Sequence, residues 1–175
     1  MPFLIFAVGA ISAIAFWIYR ARNVRDASVE ILGAANDVRL AARRFGFKRK
    51  TNVHPAENID DARLAAAGVI HAIASMNGEL TADQKQTMVV QFQSIFNTDK
   101  TEADEIVAFG RWIADQCGTK SEAVRRLTRR VAKLAGSEAE PDLTRLAELV
   151  IETGGQPETE DETDALFTIK RVFKG

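Results

Sequence analysis

The sequence has few of the residues on which small folds commonly depend. Its 175 residues include one cysteine and four prolines, and aromatic residues make up only 7%. Cys117 alone excludes an intrachain disulfide, which agrees with a reducing compartment. Because aromatic residues are scarce, alanine is abundant and β-branched residues rarely alternate, a sheet is disfavoured. We therefore expect an all-α protein.

The sequence also lacks the residue patterns of common catalytic and cofactor sites. It contains no recognisable nucleophile–base pair, phosphate-binding glycine loop or Cys/His metal cluster. We expect Cys117 to be a small core residue at a helix end and His71 to be a packed histidine. The sequence therefore predicts neither an enzyme nor a bound cofactor.

A long apolar run is present at the start of the chain. From Met1 to Tyr19 no side chain is charged, and as a helix this run would be about 28 Å long, close to the hydrocarbon thickness of a bilayer. Residues that suit a membrane interface lie at its end: Trp17, Tyr19, Arg20, Arg22 and Arg25. The positive-inside rule predicts a single-pass anchor over residues 1–22 in a bacterial inner (plasma) membrane, with the C-terminal domain in the cytoplasm.

A cleaved signal peptide is the alternative interpretation of this run. Ala13 and Ala15 have the small-x-small spacing of a cleavage site. However, no basic residue precedes the run, apolar residues continue beyond Ala15, and arginines follow at once. We favour the anchor.

Residues 23–58 are interpreted as a basic juxtamembrane helix and linker. Residues 1–57 hold nine Lys/Arg against four Asp/Glu, whereas residues 58–175 hold fourteen against twenty. The helix is expected over Asn23–Phe45, with an apolar stripe that either packs on its own domain or forms a seam in a weak homodimer. Five cations beside Phe45 and Phe47 fit either an anionic lipid surface or a solvated linker, and we expect no nucleic-acid binding. These cations are Arg43, Arg44, Lys48, Arg49 and Lys50.

Residues 59–155 show the apolar periodicity of five amphipathic helices. The second helix is predicted to begin at a capping box, Thr81–Gln84, and to turn Met88, Phe92 and Ile95 inward. The others are expected over Ile59 to about Met76, Glu102 to Gln116, from Ser121 and from Pro141. Residues 156–175 form an acidic tail, which we expect to be solvated, and a short C-terminal helix.

A shift of 58 residues aligns the apolar pattern of the first two helices with that of the fourth and fifth. Ala66, Val69 and Ile73 then meet Val124, Leu127 and Val131. The fold prediction is therefore an N-terminal transmembrane helix followed by a helical bundle of two repeated helix–turn–helix hairpins.

The turn from Ile73 to Gln84, IASMNGELTADQ, resembles the helix–turn–helix signature of the tellurite-resistance TerB family. The membrane-anchored arrangement resembles that of DjlA-type co-chaperones, but the only His-Pro, at His54, is not followed by the Asp of a J domain. The resemblance implies a helical domain without enzymatic activity, which binds metal ions through acidic turn residues and acts in membrane-associated stress assemblies.

Here Asn77 and Gln84 replace two acidic residues of that signature. The acidic turn residues that remain as metal candidates are Glu79, Asp83, Glu138 and Glu140. Since hard cations require six or more oxygen ligands, we expect these turns to cap helices and to hold no metal.

The function expected from the sequence is a non-catalytic, membrane-anchored cytoplasmic adaptor that binds an unknown protein partner. Two alternatives remain, a metal-ion-responsive TerB-like domain and a lipid-surface organiser that uses the basic residues 43–50.

Overall fold

The computed structural model describes residues 35–156 and 158–175, and in this part of the chain every regular element is a helix. The all-α prediction is confirmed for these residues. Residues 35–44 are helical and are called α1. The other helices are α2 (Ala62–Ala74), α3 (Ala82–Phe96), α4 (Lys100–Asp115), α5 (Lys120–Ala135), α6 (Glu140–Thr153) and α7 (Glu160–Lys174). Two short 3-10 helices, Pro55–Asn58 and Ser137–Ala139, precede α2 and α6.

The predicted membrane span, residues 1–22, lies outside the described residues. Within the described ranges, none of the helices combines the length and the apolar character that crossing a bilayer requires.

Helix α2 is the centre of the bundle. It packs against α4, α5 and α6, and every residue from Leu64 to Ala74 is buried. The sequence predicted a single apolar face for this helix. Because its side chains are small and apolar on every side, however, the helix is buried on every side. Its alanines allow close packing, since a Cβ added at Gly110 of α4 would lie 2.7 Å from the carbonyl carbon and oxygen of Ala67.

Local side-chain caps start most of the helices. The predicted capping box is confirmed, because the Gln84 N–H donates to Thr81 Oγ1 at 3.1 Å and the Thr81 N–H donates to Gln84 Oε1 at 3.0 Å. Gln84 Nε2 also donates to the Val150 carbonyl oxygen at 3.1 Å and so ties α3 to α6. An ionised glutamate could not make this last bond, which explains the amide at this position.

The prediction for one residue of an apolar face was wrong, and the predicted solvation of the acidic tail holds with one exception. Ile95 of α3 is 41% exposed, whereas Met88 and Phe92 are fully buried as predicted. In the acidic tail, Glu158, Glu160, Asp161 and Asp164 are exposed as predicted. Glu162 is the exception, because its carboxylate closes a second capping box with Thr159 at the start of α7, a helix that packs on α5 and α6.

The internal repeat extends to a third helix, although the 58-residue spacing holds only for the first two. The starts of α2 and α3, at residues 62 and 82, recur 58 residues later at residues 120 and 140, in α5 and α6. The next helix in each half is α4, which starts at residue 100, and α7, which starts at residue 160. Helix α4 packs against α2 and α3 as α7 packs against α5 and α6. The consecutive helices of a predicted hairpin are thus not each other's main packing partners. The sequence predicted both α4 and α7 as helices, but their correspondence was not evident because they share a burial pattern and few residue identities.

Candidate functional site

Helix α1 ends on the surface of the bundle. Residues 37–175 form one compact unit, within which Ala41 is fully buried and Phe45 and Phe47 pack against the core. Gly46 has a φ of +69°, and the Phe47 N–H donates to the Ala42 carbonyl oxygen at 2.8 Å. This helix end, which glycine favours, turns Phe47 back toward the bundle. We call residues 41–47 the docked segment.

An ion pair joins the docked segment to α4. Arg44 Nε lies 2.9 Å from Glu105 Oε2, and Arg44 Nη2 lies 3.1 Å from Glu105 Oε1. The Glu105 side chain is 3% exposed and that of Arg44 is 47% exposed. The hydrogen bond and the charge of Glu105 raise the pKa of Arg44 above its ordinary value. This two-point geometry fixes the position of Arg44 as well as pairing its charge.

The two phenylalanines of the docked segment face the protein. The Phe47 ring meets Phe109 and Trp112 of α4 edge-on, at centroid distances of 5.2 Å and 5.4 Å. The Arg63 guanidinium lies 4.6 Å from the Phe45 ring centroid. The aromatic residues that seemed suited to a lipid surface therefore attach α1 to the bundle.

Four of the five predicted lipid-surface residues remain fully available to solvent. Arg43, Lys48, Arg49 and Lys50 are exposed, and we call them the basic surface. Arg44 lies at its edge with its guanidinium engaged by Glu105. The predicted membrane-interface residues lie outside the described residues: Trp17, Tyr19, Arg20, Arg22 and Arg25.

The acidic metal candidates lie in two separate turns. Glu79 and Asp83 are exposed beside the start of α3, and Glu138 is exposed before α6. Glu140 accepts a hydrogen bond from Thr144 Oγ1 at 2.8 Å. Across residues 35–156 and 158–175, no three His, Cys, Asp or Glu side chains come together in a way that could hold a metal ion.

His71 and Cys117 both lie in the core, as predicted. Burial, followed by the positive charge of Lys120, lowers the pKa of His71 to about 4. Burial raises the pKa of the Cys117 thiol to about 11, and its Sγ donates to the Ile113 carbonyl oxygen at 3.2 Å. Both groups are therefore uncharged at neutral pH, and the Cys117 thiol is a poor nucleophile.

Sequence reasoning missed Glu105 and Trp112 as contacts of the docked segment. The signal is the stripe Glu105, Phe109, Trp112 on α4, which places a carboxylate on the same helix face as two aromatic rings. Such a carboxylate requires a cation, and Arg44 is the one that the fold supplies.

No protein-family model, curated protein or solved structure that was compared with the chain matches it. The resemblance to the TerB family, which covers about residues 60–155 with its signature at residues 73–84, therefore stays a prediction.

Proposed function

We propose that this chain is a non-catalytic adaptor whose TerB-like helical domain is held at the cytoplasmic face of a bacterial inner membrane and binds a protein partner. The observation that carries the proposal is the docked segment. Because residues from Asp37 onward belong to the compact unit, only residues 23–36 separate the domain from the predicted span. Even fully extended, this connection would reach about 50 Å. An anchor at residues 1–22 would thus keep the whole domain close to the membrane.

The nature of the core supports a binding role over a catalytic one. The only cysteine, Cys117, is buried with its thiol protonated, and His71 is buried and neutral. Neither side chain is placed to act on a substrate in solution.

Affinity isolation of the full chain in mild detergent tests the adaptor proposal. We expect recovery of a protein partner in stoichiometric amount. As a matched control, residues 1–36 fused to an unrelated domain should not recover that partner. If repeated isolations of the full chain yield no stoichiometric partner, the adaptor proposal fails.

The exposed basic surface favours one second candidate, an organiser of anionic lipid. Each cation near such a surface contributes roughly 1 kcal/mol, and this attraction is screened by salt. A chain of residues 35–175 should therefore cosediment with phosphatidylglycerol vesicles more strongly than with phosphatidylcholine vesicles.

Changing all four basic-surface residues to Gln should abolish this cosedimentation. A matched control changes four exposed cations elsewhere: Arg111, Arg125, Arg129 and Lys133. If both fourfold variants sediment alike, attraction by net charge explains the result and the basic surface is not a lipid site.

A further inference from the structure

The turn between α2 and α3 contains the only Asn-Gly pair of the sequence, Asn77 and Gly78. Helix α2 ends at Ala74 and α3 begins at Ala82, so the pair lies within the connection between them. Both residues are exposed. The φ of Gly78 is +132°, a backbone conformation that glycine adopts readily and residues with a side chain rarely adopt. Asn77 is therefore followed, in solvent, by a residue without a side chain.

Few hydrogen bonds hold this turn. On the α2 side the last backbone donor is the Met76 N–H, and on the α3 side the next is the Thr81 N–H. Residues 77–80 between them form no hydrogen bond with any other residue of the described ranges. A Cβ placed on Gly78 would also meet no atom within 4 Å. The Gly78 nitrogen and the Asn77 side chain are thus free to approach each other.

We propose that Asn77 is a site of spontaneous modification by water, which converts its side-chain amide to a carboxylate. The backbone nitrogen of Gly78 loses its proton to solvent and attacks Cγ of Asn77. A C–N bond forms, and the amide nitrogen takes up a proton and leaves as ammonia. Water then opens the resulting cyclic imide. Cleavage of the new bond gives aspartate, whereas cleavage of the original peptide bond gives isoaspartate, in which the main chain passes through Cγ.

Two other exposed asparagines lack this combination of features. Asn52 precedes Val53, whose β-branched side chain hinders attack by its own backbone nitrogen. Asn97 precedes Thr98, which is also β-branched and whose N–H is already engaged in a hydrogen bond of 3.2 Å. The structure therefore singles out Asn77 and provides these two asparagines as controls within the same chain.

The reaction changes both the charge and the backbone of the turn. It adds one carboxylate to a chain whose net charge is −1. This carboxylate lies beside Glu79 and just beyond the C-terminus of α2, where the helix dipole disfavours negative charge. The inference does not depend on the adaptor function, and its test does not bear on that proposal.

Incubation of the full chain in mild detergent, followed by tryptic digestion and mass spectrometry, tests the inference. Trypsin releases Asn77 within residues 64–85, Asn97 within residues 86–100 and Asn52 within residues 51–63. We expect the first peptide to gain the mass difference between OH and NH2 progressively, and faster at higher pH because the attacking nitrogen must lose its proton. Asn52 and Asn97 should stay unmodified. A sample digested before incubation corrects for modification during digestion.

Two variants test the role of the glycine. Asn77→Gln should remove the modification from residues 64–85, because the longer side chain no longer closes the same ring. Val53→Gly creates a second Asn-Gly pair in an exposed loop, and Asn52 should then become reactive.

A synthetic peptide of residues 71–85 separates the effect of the fold from that of the sequence. If this peptide is modified while Asn77 in the folded chain is not, the turn protects Asn77 and the inference is overturned. Modification of Asn52 or Asn97 in wild type at the rate of Asn77 would overturn it as well, since the reaction would then not require Gly78.

Discussion

At the scale of single residues, the most consequential contact is the one between Arg44 and Glu105. A buried carboxylate is costly unless a cation and hydrogen bonds compensate it, and Arg44 supplies both. The same arginine belongs to a run of cations in the sequence, most of which lie in solvent. The exposure of its neighbours therefore gives no indication of the role that Arg44 plays.

Arg44→Met should destabilise a chain of residues 35–175, because the charge of Glu105 would remain buried without a partner. The double variant Arg44→Met/Glu105→Leu should recover part of the loss, since no charge is then buried. Urea unfolding measures both effects, and Arg43→Met is the matched control because Arg43 is exposed. If the double variant is less stable than Arg44→Met, the Glu105 charge is not the cause.

The pKa of His71 makes stability depend on pH in a defined direction. In the folded state this pKa is lowered from 6.5 to about 4, so between these values the unfolded chain binds more protons. Stability should fall as the pH drops through this window. Between pH 7 and pH 5, wild type should lose about 2 kcal/mol more than His71→Gln.

Urea unfolding at the two pH values measures this difference in wild type and in His71→Gln. Equal losses in wild type and His71→Gln would show that His71 is not the group responsible.

At the scale of helices, the sequence predicted where helices begin and end better than which helices pack against each other. Thr81 and Gln84 specify a helix start within four residues, and that capping box is present. The buried state of Ile113 and Val131 followed from the spacing of apolar residues. By contrast, the contact between α4 and α1 depends on residues 61 positions apart, Arg44 and Glu105. Periodicity did offer packing of this helix on its own domain as one of two alternatives, and Val38, Ala42 and Phe45 pack against the core. No local pattern identified α4 as the partner.

The crossing of α2 and α4 depends on Gly110. An alanine there improves helix propensity by about 1 kcal/mol, but its Cβ would lie 2.7 Å from the Ala67 backbone, which cannot move aside alone. We expect Gly110→Ala to lower the free energy of unfolding by about 2 kcal/mol.

Gly68→Ala is the matched comparison within the same pair of helices. Its Cβ would meet side-chain methyl groups of Ile113 and Leu127, also at 2.7 Å, and these groups can rotate. Gly68→Ala should therefore lower the free energy of unfolding by less than Gly110→Ala does. Urea unfolding of both variants measures the difference. If Gly68→Ala is the more damaging change, backbone contact does not set the crossing.

At the scale of the whole molecule, the bundle includes the end of the segment that the sequence assigned to a linker. Ala41 belongs to the hydrophobic cluster that also contains Phe109, and Phe47 packs against that cluster. The two compact units of the chain divide at Asn36 and Asp37, not near Ile59, where the apolar pattern of the domain begins.

A chain of residues 53–175 should therefore be less stable than one of residues 35–175. The shorter chain loses the docked segment, uncovers Trp112 and leaves Glu105 without its cation. Trp112 is the only tryptophan in both chains, so its emission reports on this site, and we expect a shift to longer wavelength together with a lower urea midpoint. Identical emission and midpoints would contradict a structural role for residues 41–47.

Function was less accessible from the sequence than fold. The basic character of residues 43–50 was evident, but only the structure separates Arg44, which joins α1 to α4, from the exposed Arg43, Lys48, Arg49 and Lys50.

The central claim is that residues 1–22 hold this bundle on the cytoplasmic side of a membrane. Protease digestion of sealed inner-membrane vesicles of known orientation tests it most directly. In inside-out vesicles the domain should be digested, and in right-side-out vesicles it should be protected until detergent is added. A domain that is digested in right-side-out vesicles, or that is released from the membrane by alkaline carbonate, would contradict the claim.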